Sequence, residues 1–190
     1  MATRIRTMAT EHMRLAKGLP RDLAASLGRM IARSSLLEIR LAQTLYRLAG
    51  VDERVGRITI GNPRGSDILS RMLELAQIRG LNLSPFPWPE YKKTLDDLKT
   101  RRDIFAHSPW IYNSTADRYV LFVTAGKWPK NSATPSLSRR ILPEGKEVTA
   151  KDLRFLRAEI DKAIIQAESL DRFVQLSLQA GDGASTRKST

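Results

Sequence analysis

Apolar residues recur at steps of three and four along two long stretches of the chain. From Arg21 onward Leu23, Leu27, Met30, Ser34, Leu37, Leu41, Leu45 and Leu48 fall on one helical face, and Gly50 supplies a stop. Near the end Leu153, Leu156, Ile160, Ala163, Ala167, Leu170, Val174 and Ser177 repeat the pattern, opened by Thr149 and Asp152 in the spacing of a capping box. Two shorter stripes lie between them. One starts at Ser66 as N-cap and carries Ile68, Leu69, Met72, Leu75 and Ala76 to a stop at Gly80. The other opens at Pro89, after a proline-broken segment from Ser84, carries Tyr91, Leu95, Leu98 and Phe105, and is halted by Pro109.

Beyond Pro109 the pattern changes. Tyr119 to Thr124 is dense in strand-favouring residues, and Ser136 to Leu142 is the expected partner strand, giving a small hairpin inserted over about 110–147 before the last helix. Four single-stripe helices bury their faces most simply in an up-and-down four-helix bundle, so the expected class is mainly α with that hairpin insertion. The expected organisation is a basic arm over 1–18, one helical domain over 19–180 and a disordered tail over 181–190, where nothing is available to bury.

Composition narrows the setting. The chain of 190 residues is 42% hydrophobic, enough for a core without staples, and it contains no cysteine, which excludes a disulfide framework and thiolate chemistry. With no apolar run of membrane-spanning length and no secretory leader, a cytoplasmic protein with no membrane contact is expected. A net charge of +12 favours polyanions, so RNA or a nucleotide is the expected partner.

The chemistry is concentrated in Arg101-Arg102-Asp103-Ile104-Phe105-Ala106-His107. Arg102 is four residues after Leu98 and three before Phe105, which puts a guanidinium inside an apolar stripe. Burial there requires a carboxylate, an anion or a cleft, and Glu38 on the flank of the first helix is the candidate partner. His107 projects from the end of its helix, and Asp103 one turn earlier is placed to orient the imidazole for acid–base work. Capping of the last carbonyls by the same histidine is the bland alternative.

Arg102-Asp103-Ile104-Phe105-Ala106-His107, with helices before it, Ser108-Pro109-Trp110 after it and a final long helix, resembles the signature of HEPN domains across roughly residues 21–179. The resemblance implies a HEPN-type helical bundle that dimerises through its motif-bearing helices, here Tyr91 to His107. In many such proteins it also implies a metal-independent ribonuclease in the cleft between subunits. Arg102 and His107 match the family's arginine and histidine, while Asp103 replaces the usual asparagine. Some HEPN proteins are non-catalytic binding domains.

Metal-free RNA cleavage needs a base for the ribose 2'-OH, an acid for the leaving oxygen and a cation beside the phosphorus. His107 is read as acid or base, Arg102 as phosphate clamp and Asp103 as orienter, with Arg101, Ser108 and Trp110 touching substrate. The second histidine of such a mechanism comes from a homodimer, since His12 lies in the basic arm. No cofactor and no metal are expected, because no ligand spacing is present. Gly61-Asn62-Pro63-Arg64-Gly65 lacks the lysine of a nucleotide loop, and Trp88 and Trp128 are expected to pack loops. Trp110 is expected as cleft wall ahead of base platform. A toxin or defence ribonuclease, with a cognate regulatory protein, is the leading expectation. A non-catalytic adaptor holding a nucleotide, RNA or protein is the rival.

Overall fold

The three-and-four stripes become helices whose inward faces form one core. In the computed structural model, which describes residues 13–15, 18–61, 65, 67–83, 85–114, 117–121 and 146–186, α1 spans Arg21–Ala49, α2 Glu53–Thr59, α3 Asp67–Ile78, α4 Trp88–His107 and α5 Ala150–Thr186. Leu23, Met30, Leu37, Leu41, Leu45 and Leu48 of α1 are buried, as are Leu153, Leu156, Ile160, Ala163, Ala167, Leu170 and Val174 of α5. These two helices form the principal packing pair, and α4 packs on both.

The termini follow the expected signals. Gly50 adopts the left-handed conformation at φ 74°, its N–H reaching the Arg47 carbonyl while that of Val51 reaches Tyr46. The Thr149 N–H and hydroxyl both donate to the Asp152 carboxylate, at 2.8 and 2.7 Å, closing the capping box of α5. The expected cap at Ser66, the partner strand Ser136 to Leu142 and Trp128 lie outside the described residues.

The direction of the helices departs from the up-and-down order. Arg33 pairs with Asp161, Thr44 donates to Asp171 and Arg47 pairs with Asp171, at sequence separations of 128, 127 and 124. A near-constant separation means that α1 and α5 run parallel, whereas the first and last helices of an up-and-down four-helix bundle are antiparallel. The sequence reading counted four helices and missed α2, whose chain turns between α1 and α3. Asp52 caps α2 by accepting from the Val55 N–H at 2.8 Å.

Gly56 of α2 lies flat on the buried ring of Tyr46. A Cβ there would stand 2.5 Å from the ring carbons, so the ring or the helix must shift. Gly56→Ala is expected to lower stability by about 1–3 kcal/mol. A thermal melt superimposable on wild type would contradict this contact.

The sheet also differs from expectation. Four strands, β1 (Met13–Leu15), β2 (Trp110–Asn113), β3 (Arg118–Leu121) and β4 (Lys146–Glu147), pair antiparallel in that order. The described hairpin partner of β3 is therefore β2, immediately after α4, with Tyr112 opposite Tyr119. Part of the segment read as an arm supplies the edge strand β1. The helix α5 continues to Thr186, six residues into the segment read as a disordered tail. Because β1 leads into α1 and β2 follows α4, the start of α1 and the end of α4 meet at this sheet.

Candidate functional site at the end of helix 4

The last two turns of α4 bring the motif residues to the edge of the core. Leu95 and Leu98 bury one side of the helix, and Ile104 and Phe105 continue that contact half-buried. Arg102 lies between them, its side chain 17% exposed. Nη2 donates to Glu38 Oε1 at 2.9 Å, and Nη1 pairs with Asp103 Oδ1 at 3.0 Å. Arg102 is thus held between α1 and its own helix by two carboxylates, with its buried Nε–H lacking an acceptor. A guanidinium carries five N–H donors, so these two contacts do not exhaust it.

Asp103 is correspondingly neutralised. Its second oxygen lies 3.3 Å from Lys99 Nζ, so two cations oppose the carboxylate. His107 Nε2 is 4.0 Å from Asp103 Oδ1, beyond hydrogen-bond range. The carboxylate therefore acts on the imidazole through its field, and the expected orienting hydrogen bond is not made. The His107 side chain is 72% exposed and faces solvent.

The remaining candidate residues have structural duties. Arg101 bridges helices, pairing with Asp97 at 2.8 Å and with Glu159 of α5 at 2.6 Å. Ser108 is the C-cap, its N–H donating to the Ile104 carbonyl at 3.1 Å. The Trp110 indole donates to the Phe105 carbonyl at 3.3 Å while its ring packs on the core, the placement of a wall beside the motif. Lys99, Asp97 and Glu159 were not singled out from the sequence. For Lys99 with Asp103 and Asp97 with Arg101 the signal was present as i, i+4 spacing.

Two surface clefts of about 340 and 440 Å³ lie elsewhere, along the C-terminal half of α1, and neither is lined by His107. Among the described residues no group of three histidine or carboxylate side chains is placed to hold a metal ion. No helix among them is long and apolar enough to cross a membrane. Compared with known proteins, the chain matches no family model, no curated protein and no solved structure.

Proposed function

We propose that this chain is an RNA-binding protein of HEPN type that cleaves RNA without a metal, by transesterification at a site completed by a second copy. The observation that carries this reading is the solvent-facing His107 one helical turn beyond an Arg102–Asp103 pair that Glu38 fixes in place. An imidazole free to exchange protons beside a fixed guanidinium is the minimum for attack by a 2'-OH on phosphorus. The single chain supplies one such imidazole at this site. A second copy supplies the other, so that one histidine takes the 2'-OH proton and its counterpart protonates the departing 5' oxygen.

Arg102 enters this scheme mainly as a positioning residue. Its terminal nitrogens already serve Glu38 and Asp103, and only their remaining N–H groups are left for a phosphate. Lys99 offsets the Asp103 charge that would otherwise repel substrate.

RNA affinity is expected to be largely electrostatic and to fall steeply between about 50 and 200 mM salt, with a slope set by the number of phosphates contacted. Filter binding or fluorescence anisotropy across that range tests this, and a salt-independent affinity would contradict it. Cleavage of the same labelled RNA at equal rates with and without chelator is the expected catalytic result. The commitment of both Arg102 terminal nitrogens within the chain favours a second reading, a non-catalytic adaptor using the same surface. Binding with no cleavage under either condition would select it.

A further inference from the structure

One face of α1 is apolar along its whole length, yet the chain covers only half of it. Ala24, Gly28, Ile31, Ala32, Ser35, Ile39, Ala42 and Tyr46 follow one another at helical steps on a single face. Ala42 and Tyr46, at the C-terminal end, are 3% and 2% exposed, because α2 and α3 pack there. The first six are all exposed, with Ile31 at 37% and Ile39 at 41%. A Cβ added at Gly28 would meet nothing within 4 Å. In a chain that is 27% charged, this bare half-face carries no charged residue from Ala24 to Ile39.

The bare half-face adjoins the site. Ile31 precedes Glu38 by two turns on the same side of α1, and Glu38 holds Arg102. The sheet brings the start of α1 and the His107 end of α4 together. The exposed side of α4, by contrast, carries Lys92, Lys93, Asp97 and Lys99, largely tied into i, i+4 ion pairs. Burying those charges against a twofold copy of themselves is costly, so α4 is poorly suited to be the centre of a dimer.

We infer that the N-terminal half of α1 is the face on which a second copy of this chain docks, helix α1 against helix α1, placing the two His107 ends beside a shared cleft. This rests on the ribonuclease reading for its occupant: each chain brings one His107, and the site is incomplete without the other. Small side chains at Ala24, Gly28, Ala32 and Ser35 allow two identical helices to approach closely, and Ile31 and Ile39 supply the apolar area. RNA is not the occupant of this strip, which offers no cation to a phosphate. The strip is about 24 Å long at a rise of about 1.5 Å per residue. Two such faces with the adjoining α4 ends are on the scale of the roughly 1,200 Å² at which specific interfaces begin.

Light scattering and sedimentation of the full chain, with Ala32→Glu and with Thr94→Glu on the exposed side of α4 as control, test the inference. Wild type and the control are expected to be dimers at micromolar concentration, and Ala32→Glu to self-associate roughly 100-fold more weakly with unchanged circular dichroism. Because the chain has no cysteine, Gly28→Cys, Ala32→Cys and Ser35→Cys with a short bis-maleimide read the contact directly. Covalent dimers are expected from at least one of the three and none from Thr94→Cys. A monomeric wild type, a dimer indifferent to Ala32→Glu, or no cross-link at any of the three positions would overturn it. Cleavage assays alongside keep the two ideas apart. A monomeric Ala32→Glu protein that still cleaves at the wild-type rate preserves the surface and removes the composite site. A wild-type dimer that cleaves but pairs through another face removes the surface and preserves the ribonuclease.

Discussion

His107→Ala is expected to lower RNA cleavage by roughly two to four orders of magnitude while leaving folding and RNA affinity close to wild type. That loss corresponds to about 3–5 kcal/mol in the barrier. The side chain is mostly in solvent, so its removal opens no cavity, and the core contacts of Ile104 and Phe105 remain. The backbone at the helix end is capped by the Ser108 N–H, which the substitution does not touch. Single-turnover cleavage and anisotropy on the same preparation check the split between rate and affinity. Undiminished cleavage would remove His107 from the chemistry and leave the adaptor reading.

The second large effect is on stability. Arg102→Ala leaves Glu38 without its partner and Asp103 with Lys99 alone, beside an apolar stripe. Breaking a fully buried pair costs about 3–5 kcal/mol and an exposed one about 0–1 kcal/mol. Glu38 and Asp103 are roughly one-third exposed, so the expected loss is about 1–3 kcal/mol. Glu38→Ala should restore part of it in the double variant, because no unpaired carboxylate then remains at the boundary. A double-mutant cycle by urea denaturation is expected to give a coupling of about 1–2 kcal/mol. Strictly additive effects would mean that the pair does not position Arg102. Asp103→Asn separates the carboxylate's two influences. Activity rises if its residual charge repels substrate, and falls if its field on His107 assists proton transfer.

Much of this arrangement is legible in the sequence because it is local. The leucine stripes of α1 and α5, the stop at Gly50 and the Thr149 capping box each follow from spacing and from conformational preference at one position. The misplaced guanidinium of Arg102 is legible for a related reason: a charge inside a stripe demands a carboxylate, and Glu38 stands on the facing helix. What escapes is what spacing does not encode. A three-and-four stripe has no direction, so the parallel course of α1 and α5 emerges only from the row of contacts joining Arg33, Thr44 and Arg47 to Asp161 and Asp171. The seven-residue α2 is too short to show a period, although its cap at Asp52 is an ordinary helix-start signal. Strand β2 begins three residues after His107, so Trp110 to Asn113 was read as the flank of the motif although Ile111 and Tyr112 favour a strand. At the site itself the i, i+4 spacing brings Asp103 and His107 near one another. It does not set the rotamer that leaves them 4.0 Å apart.

Transesterification leaves a chemical record that metal-assisted hydrolysis at the opposite bond does not. Attack of the 2'-OH on phosphorus forms a cyclic phosphate as the bond to the 5' oxygen breaks, and the proton lost from the 2' oxygen is matched by one gained at the leaving oxygen. The decisive measurement is therefore the identity of the new ends when the purified full-length chain acts on labelled RNA in excess chelator. A 2',3'-cyclic phosphate on one fragment and a 5'-hydroxyl on the other, with both absent for His107→Ala, is the predicted result. Intact RNA, or fragments bearing 5'-phosphate, would contradict it.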